Sequence, residues 1–581
     1  MEFQYSPSLL LIITPFLLLL LILVSMKYRK KLNARSEAKK VPPGPWKLPL
    51  IGNLHQLAVA GASSLPHHVL RDLSLKYGAL MHLQLGEIST VVVSSPDMAK
   101  QIMNTHDLAF SQRPQLLTPK ILAYDSTDIA FAPYGHYWRQ MRKICTLELL
   151  STKRVQSFSS IRQHEVTKLI QSIQQSSSPI NISALLFSLV ITLVSREAFG
   201  IKSEHEDELL SLVKKASETM GGFDLADLFP SLKHIHLITG MKAKLEDMHK
   251  KLDNILDKIV KEHQENISHD HKGEENLIDV LLRLQQSSNL EVPITVNNIK
   301  AVIWDIFGGG TDTSATVLEW TMSELMKNPR VMEKAQNEIR EAIKGKETIK
   351  ESDLHKLSYL KAVIKESMRL HPPAPLLLPR ECREACKIGG YDIAVKSKVI
   401  VNAWAIGRDP NRWYNADSFM PERFNNNNNN NGIGTRGNDF EYIPFGAGRR
   451  MCPGISLGLA NVELPLAALL YHFDWKLPNG IQPQDLDITE AFGAAVQIER
   501  VTPPNQIEAN SNLPQPEQNF IKLNRITTKK VGHKPTTKEK GKSKDKATPA
   551  IKAKGTTIHR SSAALQSPYV QVTTEELNKL K

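Results

Sequence analysis

The stretch Phe445-Gly446-Ala447-Gly448-Arg449-Arg450-Met451-Cys452-Pro453-Gly454 places one cysteine at the end of a glycine-rich turn. An apolar segment, Ile455 to His472, follows with helical spacing, and Pro453 suits the first turn of that helix. Free N–H groups and the positive end of the dipole at a helix N-terminus favour a thiolate, which is the form of cysteine that binds metal. Taken alone, the stretch is also compatible with a buried structural cysteine.

A second motif lies in the longest helical pattern of the sequence, from near Val296 to about Lys327. It contains Gly308-Gly309-Gly310, and each glycine inside a helix costs roughly 1 kcal/mol relative to alanine. The pattern therefore indicates either a kink or close helix crossing, or a patch where a ligand approaches the backbone. Asp312 and Thr313 follow directly and offer an acid and a hydroxyl for proton transfer.

Two pairs of residues stand about one helical turn apart. Glu366 and Arg369 lie in the helical pattern Asp353–Leu370, and alone they would form an ordinary surface ion pair. Trp138 and Arg142 alone would be an aromatic ring packed on an arginine stem.

With the elbow Pro42-Pro43-Gly44-Pro45, these motifs occur in the order typical of the cytochrome P-450 family, which the chain resembles from Met1 to about Gly493. The residues in these motifs are most similar to those of the plant microsomal members. The resemblance implies a mainly α fold with small β-sheets and haem b bound through the Cys452 thiolate. It implies that Asp312 and Thr313 deliver protons to bound dioxygen, and that Glu366, Arg369 and Arg423 form a buried structural network. The residues that it assigns to the haem propionates are Trp138, Arg142, Arg380 and Arg450, with Arg113 as a weaker candidate.

The activity that the resemblance implies is insertion of one oxygen atom from O2 into an apolar small molecule, a terpenoid or other plant specialised metabolite. Electrons come from NADPH through NADPH–cytochrome P-450 reductase, with cytochrome b5 as an optional further partner. Pocket lining is expected from Ile306, Phe307, Gly310 and residues 374–378. One alternative is a haem-thiolate isomerase or dehydratase that needs no reductase, which the intact Asp312-Thr313 pair disfavours. The other is a protein that binds through its basic tail.

The N-terminus predicts a membrane anchor. Residues 9–26 are uncharged and apolar, which is near the lower length limit for a span. Seven lysines and arginines follow between Lys27 and Lys40, so the positive-inside bias places the rest of the chain in the cytoplasm. A cleaved signal peptide is the alternative, but the basic segment before the apolar run is missing. We therefore expect a single-pass anchor at 1–26 in the endoplasmic reticulum membrane, a basic linker and proline elbow at 27–45, and a catalytic domain at 46–500.

The charge is concentrated at the other end of the chain. Residues 521–581 carry a net charge of +11, so the +13 of the whole chain leaves only +2 for the rest. The composition of residues 501–581 predicts a disordered basic tail, and no nucleic-acid partner is expected. Family members close with a strand pair after the turn at 491–493, whereas this chain turns polar there, which raises the question of whether the last sheet is complete. Residues 425–431 are all asparagine and predict a loop.

Overall fold

Helices make up most of the described chain. The computed structural model describes residues 40–498 except for 60–64, 177–178, 201–205, 221–223, 233–238, 268–274, 288–289, 425–433, 435–436, 478–480, 492 and 494; beyond this range it describes Pro15 and two short strands. The α-helices are α1 Leu54–Val59, α2 Pro66–Tyr77, α3 Pro96–Lys100, α4 Leu117–Leu122, α5 His136–Ile144, α6 Thr152–Ser157, α7 Ser159–Gln175, α8 Ile182–Phe199, α9 Glu206–Thr219, α10 Leu225–Leu228, α11 Met241–Ile267, α12 Leu277–Gln286, α13 Val296–Lys327, α14 Pro329–Ala342, α15 Ser358–Leu370, α16 Ala403–Ile406 and α17 Ile455–His472.

The strands are short and form small sheets. They are β1 Leu80–Leu85, β2 Ile88–Val93, β3 Pro179–Ile180, β4 Arg380–Glu381, β5 Cys386–Ile388, β6 Tyr391–Ile393, β7 Lys398–Val401, β8 Phe473–Lys476, β9 Ile507–Ser511 and β10 Val570–Gln571. One sheet has the order β1-β2-β7-β4, with β2 and β7 parallel and the other pairs antiparallel. A separate hairpin joins β5 and β6. The β-branched residues of 90–93 form most of β2, as their strand propensity predicts.

The long helix α13 has the ends that its sequence pattern predicts. Thr295 caps its N-terminus, because its side chain accepts a hydrogen bond from Asn298 N–H while the Asn298 side chain accepts one from Thr295 N–H. The helix is buried along most of its length and packs against α8 on one side and α17 on another. Helix α17 spans the predicted Ile455–His472, so the cysteine loop ends where this core helix begins.

The predicted network on α15 is confirmed. Arg369 donates to both carboxylate oxygens of Glu366 at 2.7 and 2.8 Å, and Arg423 Nε donates to Glu366 at 3.0 Å. Arg369 also donates to the carbonyl oxygens of Gly407 and Ala416. Glu366 and Arg369 are fully buried, so these bonds compensate the loss of hydration of both charges.

The C-terminal segment supplies a strand to the last sheet. The backbone of β9 pairs antiparallel with β8, with Phe473 opposite Ser511, and β3 and β10 extend this sheet. The polar residues after 501 therefore provide a partner for β8, despite the departure from the family pattern.

Two helices among the described residues, α8 and α17, are long and apolar enough to cross a membrane, but most of each is buried inside the protein. The predicted anchor at 1–26 lies outside the described residues apart from Pro15, as do the linker up to residue 39 and the asparagine run. The proline elbow is described. Its Pro43 carbonyl accepts a hydrogen bond from His82 N–H on β1, which ties the start of the domain to the first sheet.

Candidate active site

The cysteine loop has a backbone that only glycine permits at its key positions. Gly446 and Gly448 have φ values of +68° and +69°, in the left-handed region. A Cβ on Gly448 would lie 2.1 Å from the Met103 carbonyl oxygen, so no side chain fits there. Cys452 N–H donates to the Phe445 carbonyl oxygen at 3.0 Å, which closes the loop. The Cys452 side chain is thereby presented at the loop end, one turn before α17.

A cavity of about 400 Å³ lies between this loop and the glycines of α13. Its wall includes Cys452 and Phe445 on one side and Gly308, Gly309 and Gly310 on the other. A Cβ on Gly309 would meet nothing within 4 Å, so this part of α13 faces open space and is not a close helix crossing. At Gly310 a Cβ would lie 3.4 Å from Val194 on α8, so packing against a neighbouring helix also favours a small residue there.

The sequence-predicted site residues all line this one cavity. They are Arg113, Trp138, Arg142, Asp312, Thr313, Arg380, Arg450 and Cys452. Of the expected pocket residues, Ile306, Gly310, Ala374, Leu377 and Leu378 line it as well. Pro375 and Leu376, from the expected range 374–378, do not line it. Phe307 does not line it either, because its ring is buried against Phe199, with ring centroids 5.8 Å apart. The expectation was wrong for Phe307, since it lies on the face of α13 that packs toward α8.

Asp312 is a buried acid at the edge of the cavity. Its Oδ1 accepts a hydrogen bond of 2.7 Å from Gln497 Nε2, and Ser217 also bonds to it. Burial raises the pKa of Asp312 to about 6, while the bonds from Ser217 and Gln497 and the charge of Lys214 oppose that rise. The carboxyl group can therefore change protonation state near neutral pH. The neighbouring Thr313 hydroxyl donates to the Gly309 carbonyl oxygen at 2.6 Å.

Three buried arginines form a cationic cluster on another side of the cavity. Most of their hydrogen bonds go to backbone carbonyl groups. Arg113 donates to Ala130, Leu378 and Pro379, and Arg450 donates to Ser111 and Ala132. Arg380 donates to the Ala447 carbonyl oxygen and also pairs with the Asp107 carboxylate at 3.3 Å. Burial lowers the pKa of Arg450 to about 9, and the charge of nearby Arg380 adds to the effect. Burial and the charges of Arg450 and Arg380 also hold the pKa of Arg113 well below its usual range. Arg380 has one carboxylate partner, whereas the hydrogen bonds of Arg113 and Arg450 to described residues go to carbonyl oxygens, so the cluster keeps a net positive charge that suits an anionic ligand.

Trp138 and Arg142 lie on α5 next to this cluster. The Trp138 indole N–H donates to the Ile129 carbonyl oxygen at 3.0 Å, and the Arg450 guanidinium lies over the Trp138 ring, 4.1 Å from its centroid. The Trp138 ring thus supports Arg450 directly, while its N–H is already bonded within the protein. Arg142 faces Cys452: burial lowers the pKa of Arg142, and the negative charge of a Cys452 thiolate opposes that shift.

Sequence reasoning missed an acid pair that shapes the same wall. Asp305 on α13 accepts hydrogen bonds from the N–H groups of Ile129 and Ala130 at 2.7 and 2.9 Å. Burial raises the pKa of Asp305 to about 6, and burial together with the charge of Asp305 raises the pKa of Asp128 well above its ordinary value. The sequence did offer one indication for Asp305, because an acidic residue about one helical turn before Gly308 lies on the same face of the helix as the glycines. Gln497 had none, because its partner lies 185 residues away.

The residues present fit a haem group. The flat macrocycle needs a soft axial donor, a side-chain-free helix face and cations for two propionates, and the cavity supplies Cys452, Gly309 and the arginine cluster together. Fold and site therefore define a haem-thiolate protein.

Comparison with known proteins gives the family. The family model described as "Cytochrome P450" matches residues 42–504, and the chain belongs to that family. It is 59% identical to cytochrome P450 71D8 of Glycine max over 500 residues, covering 85% of this chain and 97% of the relative. Premnaspirodiene oxygenase of Hyoscyamus muticus is 55% identical, with 80% and 92% covered, and germacrene A hydroxylase of Saussurea costus is 53% identical, with 80% and 94% covered.

Solved structures agree. A zebra fish cytochrome P450 bound to abiraterone superposes with a TM-score of 0.65 at 26% identity, covering 77% of this chain and 99% of that one. The protein is therefore a haem-thiolate monooxygenase that carries haem b and receives electrons from NADPH through a reductase. The predictions of a mainly helical P-450 fold, of this activity and of this cofactor are confirmed.

Proposed function

We propose that this monooxygenase oxidises an apolar terpenoid, and that Cys452 ligates the haem iron. The observation that carries the proposal is the cavity in which Cys452 faces the side-chain-free surface of α13 at Gly309. The backbone N–H of Gly454 and the charge of Arg142 both favour the thiolate form of Cys452, although burial raises its pKa. When bound, the haem supplies the iron at which dioxygen is reduced and cleaved.

We assign the propionates to Arg142, Arg380 and Arg450. Arg380 and Arg450 are buried and line the cavity; Arg380 has Asp107 as a carboxylate partner, and the hydrogen bonds of Arg450 to described residues go to carbonyl oxygens. The sequence analysis expected Trp138 to donate to a propionate. Its N–H instead bonds to the Ile129 carbonyl oxygen, and its ring packs under the Arg450 guanidinium, so we assign Trp138 the role of positioning Arg450. Arg113 has its donors directed to three backbone carbonyls, which favours a role in holding the loop at Ala130.

Asp312 and Thr313 are the residues to which we assign proton delivery. Asp312 lies at the cavity edge with a pKa of about 6, which is close to the pH at which a proton donor must also be reloaded. Thr313 presents a hydroxyl on the same face of α13, one turn beyond Gly309. Gln497 and Ser217 hold the carboxyl group of Asp312 in place and are positioning residues.

An apolar substrate is supported by the cavity wall and by the relatives. The apolar residues that line it include Val213, Met220, Trp304, Val317 and Leu377. The similar proteins include one premnaspirodiene oxygenase and three germacrene A hydroxylases, which act on the compounds in their names. The proposed substrate class is therefore a terpenoid hydrocarbon or a lightly oxidised derivative.

The proposed setting is the endoplasmic reticulum membrane. Residues 1–26 serve as a single-pass anchor, residues 27–45 as linker and elbow, and residues 46–500 as a catalytic domain on the cytoplasmic side. Cytochrome b5 is proposed as an additional electron donor beside the reductase. The basic segment 501–581 has no assigned function in this proposal, although its strands β9 and β10 join the last sheet.

The test uses the full chain in microsomes with a plant reductase and NADPH. Germacrene A and premnaspirodiene are supplied under isotopically labelled dioxygen, and products are analysed by mass spectrometry. We expect a product with one labelled oxygen atom from a terpenoid, lost in Cys452→Ser and retained in Cys386→Ser, a cysteine outside the cavity wall. A product without labelled oxygen, or formed without reductase, would instead support an isomerase or dehydratase.

A further inference from the structure

A second cluster of metal-ligand side chains lies outside the cavity wall. His67 and His68 open helix α2, and both reach Glu490 near the C-terminal end of the domain. Their Nε2 atoms are 2.7 and 3.0 Å from Glu490 Oε2, and the three ligand atoms lie within 4.8 Å of one another. His67 is buried and His68 is partly exposed, so the cluster has one side open to solvent.

A third histidine completes the cluster. His371, just after α15, points Nδ1 at Glu490 Oε1 across 3.7 Å. Its other nitrogen, Nε2, bonds to Glu324 at 2.8 Å, and its ring is stacked on Trp320 with centroids 3.8 Å apart. The bond to Glu324 fixes the orientation of the ring. A carboxylate bonded to the far nitrogen of a histidine is the arrangement that orients histidine ligands in metal sites.

The three imidazole rings converge on one carboxylate. His67 and His68 approach Glu490 Oε2, and His371 approaches Oε1, so the two carboxylate oxygens are shared among three nitrogen donors. The Trp404 indole N–H also donates to Glu490 Oε1 at 3.3 Å. One hydrogen bond or ion pair needs a single imidazole, whereas several imidazole nitrogens beside one carboxylate are the donor arrangement of a metal site.

We propose that His67, His68, His371 and Glu490 bind one zinc ion. Imidazole nitrogens with one carboxylate are a donor set that Zn²⁺ takes in a tetrahedral site. Two such donors on one ion stand roughly 3.4 Å apart, as follows from bond lengths of about 2.1 Å. The three distances from the histidine nitrogens to Glu490, 2.7, 3.0 and 3.7 Å, lie around that value, so small side-chain movements admit the ion.

The site would brace the wall of the active-site cavity. Glu490 pairs with Ile498 in an isolated β-bridge, and between them lie Ala495, which lines the cavity, and Gln497, which bonds to Asp312. Trp320, the residue stacked on His371, donates its indole N–H to the Val496 carbonyl oxygen. Zinc would therefore tie α2 and the end of α15 to the turn that holds Asp312. The inference does not depend on the substrate or on the haem assignment.

The test is equilibrium dialysis of the purified full-chain haem protein against radioactive Zn²⁺, with iron measured separately. We expect one zinc equivalent per chain at micromolar free zinc, and its loss in Glu490→Gln. Glu324→Gln should weaken the affinity by roughly 10- to 100-fold, because it removes the partner that orients His371. The matched control is His263→Gln, which removes a single histidine–aspartate pair of 2.8 Å and should leave zinc binding unchanged.

A second variant, His68→Gln, tests the site independently in case Glu490→Gln does not fold. The His68 side chain is 31% exposed, so His68→Gln leaves the core intact and should still abolish stoichiometric binding. Wild-type protein that binds no equivalent of zinc would overturn the proposal, as would zinc binding that both Glu490→Gln and His68→Gln retain.

Discussion

Gln497 donates a hydrogen bond of 2.7 Å to Asp312, and so joins the C-terminal turn of the domain to the long helix above the cysteine loop. The bond runs between residues 185 positions apart and fixes an acid whose burial raises its pKa to about 6. The sequence that departs from the family pattern begins only a few residues later. The segment with Gln497, which bonds to Asp312, therefore precedes the part of the sequence that differs from the family pattern, and that part contains strands β9 and β10.

The raised pKa of Asp312 makes stability depend on pH. Above pH 6 the carboxyl group is ionised in both states and opposes folding; below the ordinary value of 3.8 it is protonated in both states and the penalty is absent. Asp312→Asn keeps an oxygen to accept from Gln497 and removes the charge. We expect it to be more stable than wild type above pH 6, by at most about 3 kcal/mol, with the difference shrinking as pH falls from 6 to 4.

Thermal unfolding of wild type and Asp312→Asn between pH 4 and above pH 6 measures this stability difference. Asp125→Asn, which replaces an exposed carboxylate, is the control and should show no such trend.

Asp312→Asn should also change how efficiently NADPH is used. NADPH oxidation should continue in this variant while the yield of product per NADPH falls, because proton delivery typically contributes 10²-fold or more. Unchanged product yield per NADPH would contradict the role given to Asp312.

Arg142→Leu tests the propionate assignment. Its guanidinium lines the cavity beside Cys452, whereas Arg139 on the same helix is exposed and lies over the Tyr134 ring. We expect Arg142→Leu to release haem to apomyoglobin about 10-fold faster, since a charge-assisted hydrogen bond contributes about 1.5–3 kcal/mol. Arg139→Leu should release haem at the wild-type rate, and equal rates in all three proteins would refute the assignment.

Two glycines should respond oppositely to alanine. At Gly309 the added Cβ meets open space, so Gly309→Ala should favour the helix by up to about 1 kcal/mol while narrowing the cavity opposite Cys452. We expect a higher melting temperature and slower oxidation of bulky terpenoids. Gly448→Ala places a Cβ 2.1 Å from the Met103 carbonyl at positive φ, so it should yield protein that does not retain haem. Normal haem content in Gly448→Ala would contradict this account of the loop.

The buried network on α15 predicts a large loss of stability. Arg369→Lys cannot donate to both Glu366 oxygens and to the backbone carbonyls at once, so it should destabilise the fold by about 3–5 kcal/mol. Arg330→Lys changes an exposed partner of Glu422 and should fall within about 0.5 kcal/mol of wild type. Chemical unfolding of both variants measures the difference, and similar midpoints would rule out a stabilising role for the network.

Much of the site was predictable because its chemistry is local in sequence. The cysteine loop and the Gly-Gly-Gly-Thr-Asp-Thr run each lie within ten residues, and the ends of α13 and α17 follow from apolar periodicity and capping. Arg450 and Cys452 come from the loop, and Asp312 and Thr313 come from α13, so local motifs account for four of the residues that line the cavity. The other four, which are Arg113, Trp138, Arg142 and Arg380, lie on separate segments and were assigned by the family resemblance.

Other features depended on contacts that no local pattern encodes. Leu377 lies in the apolar run 376–379, yet it adopts a φ of +50° in a turn, and strand β4 begins only at Arg380. Trp138 has the expected spacing from Arg142, yet its N–H bonds to Ile129, a residue that only the folded chain brings close. Glu490 and its three histidines come from three separate parts of the sequence, so their meeting is a product of the tertiary fold.

The most direct test of the central claim is a reduced, carbon-monoxide difference spectrum of microsomes that contain the full chain, beside Cys452→Ser and Cys386→Ser. Thiolate ligation predicts the long-wavelength Soret band after which the family is named, absent in Cys452→Ser and present in Cys386→Ser. A band at the shorter wavelength of haem without thiolate in the wild-type protein, or a long-wavelength band that survives in Cys452→Ser, would contradict the assignment of Cys452 as the iron ligand.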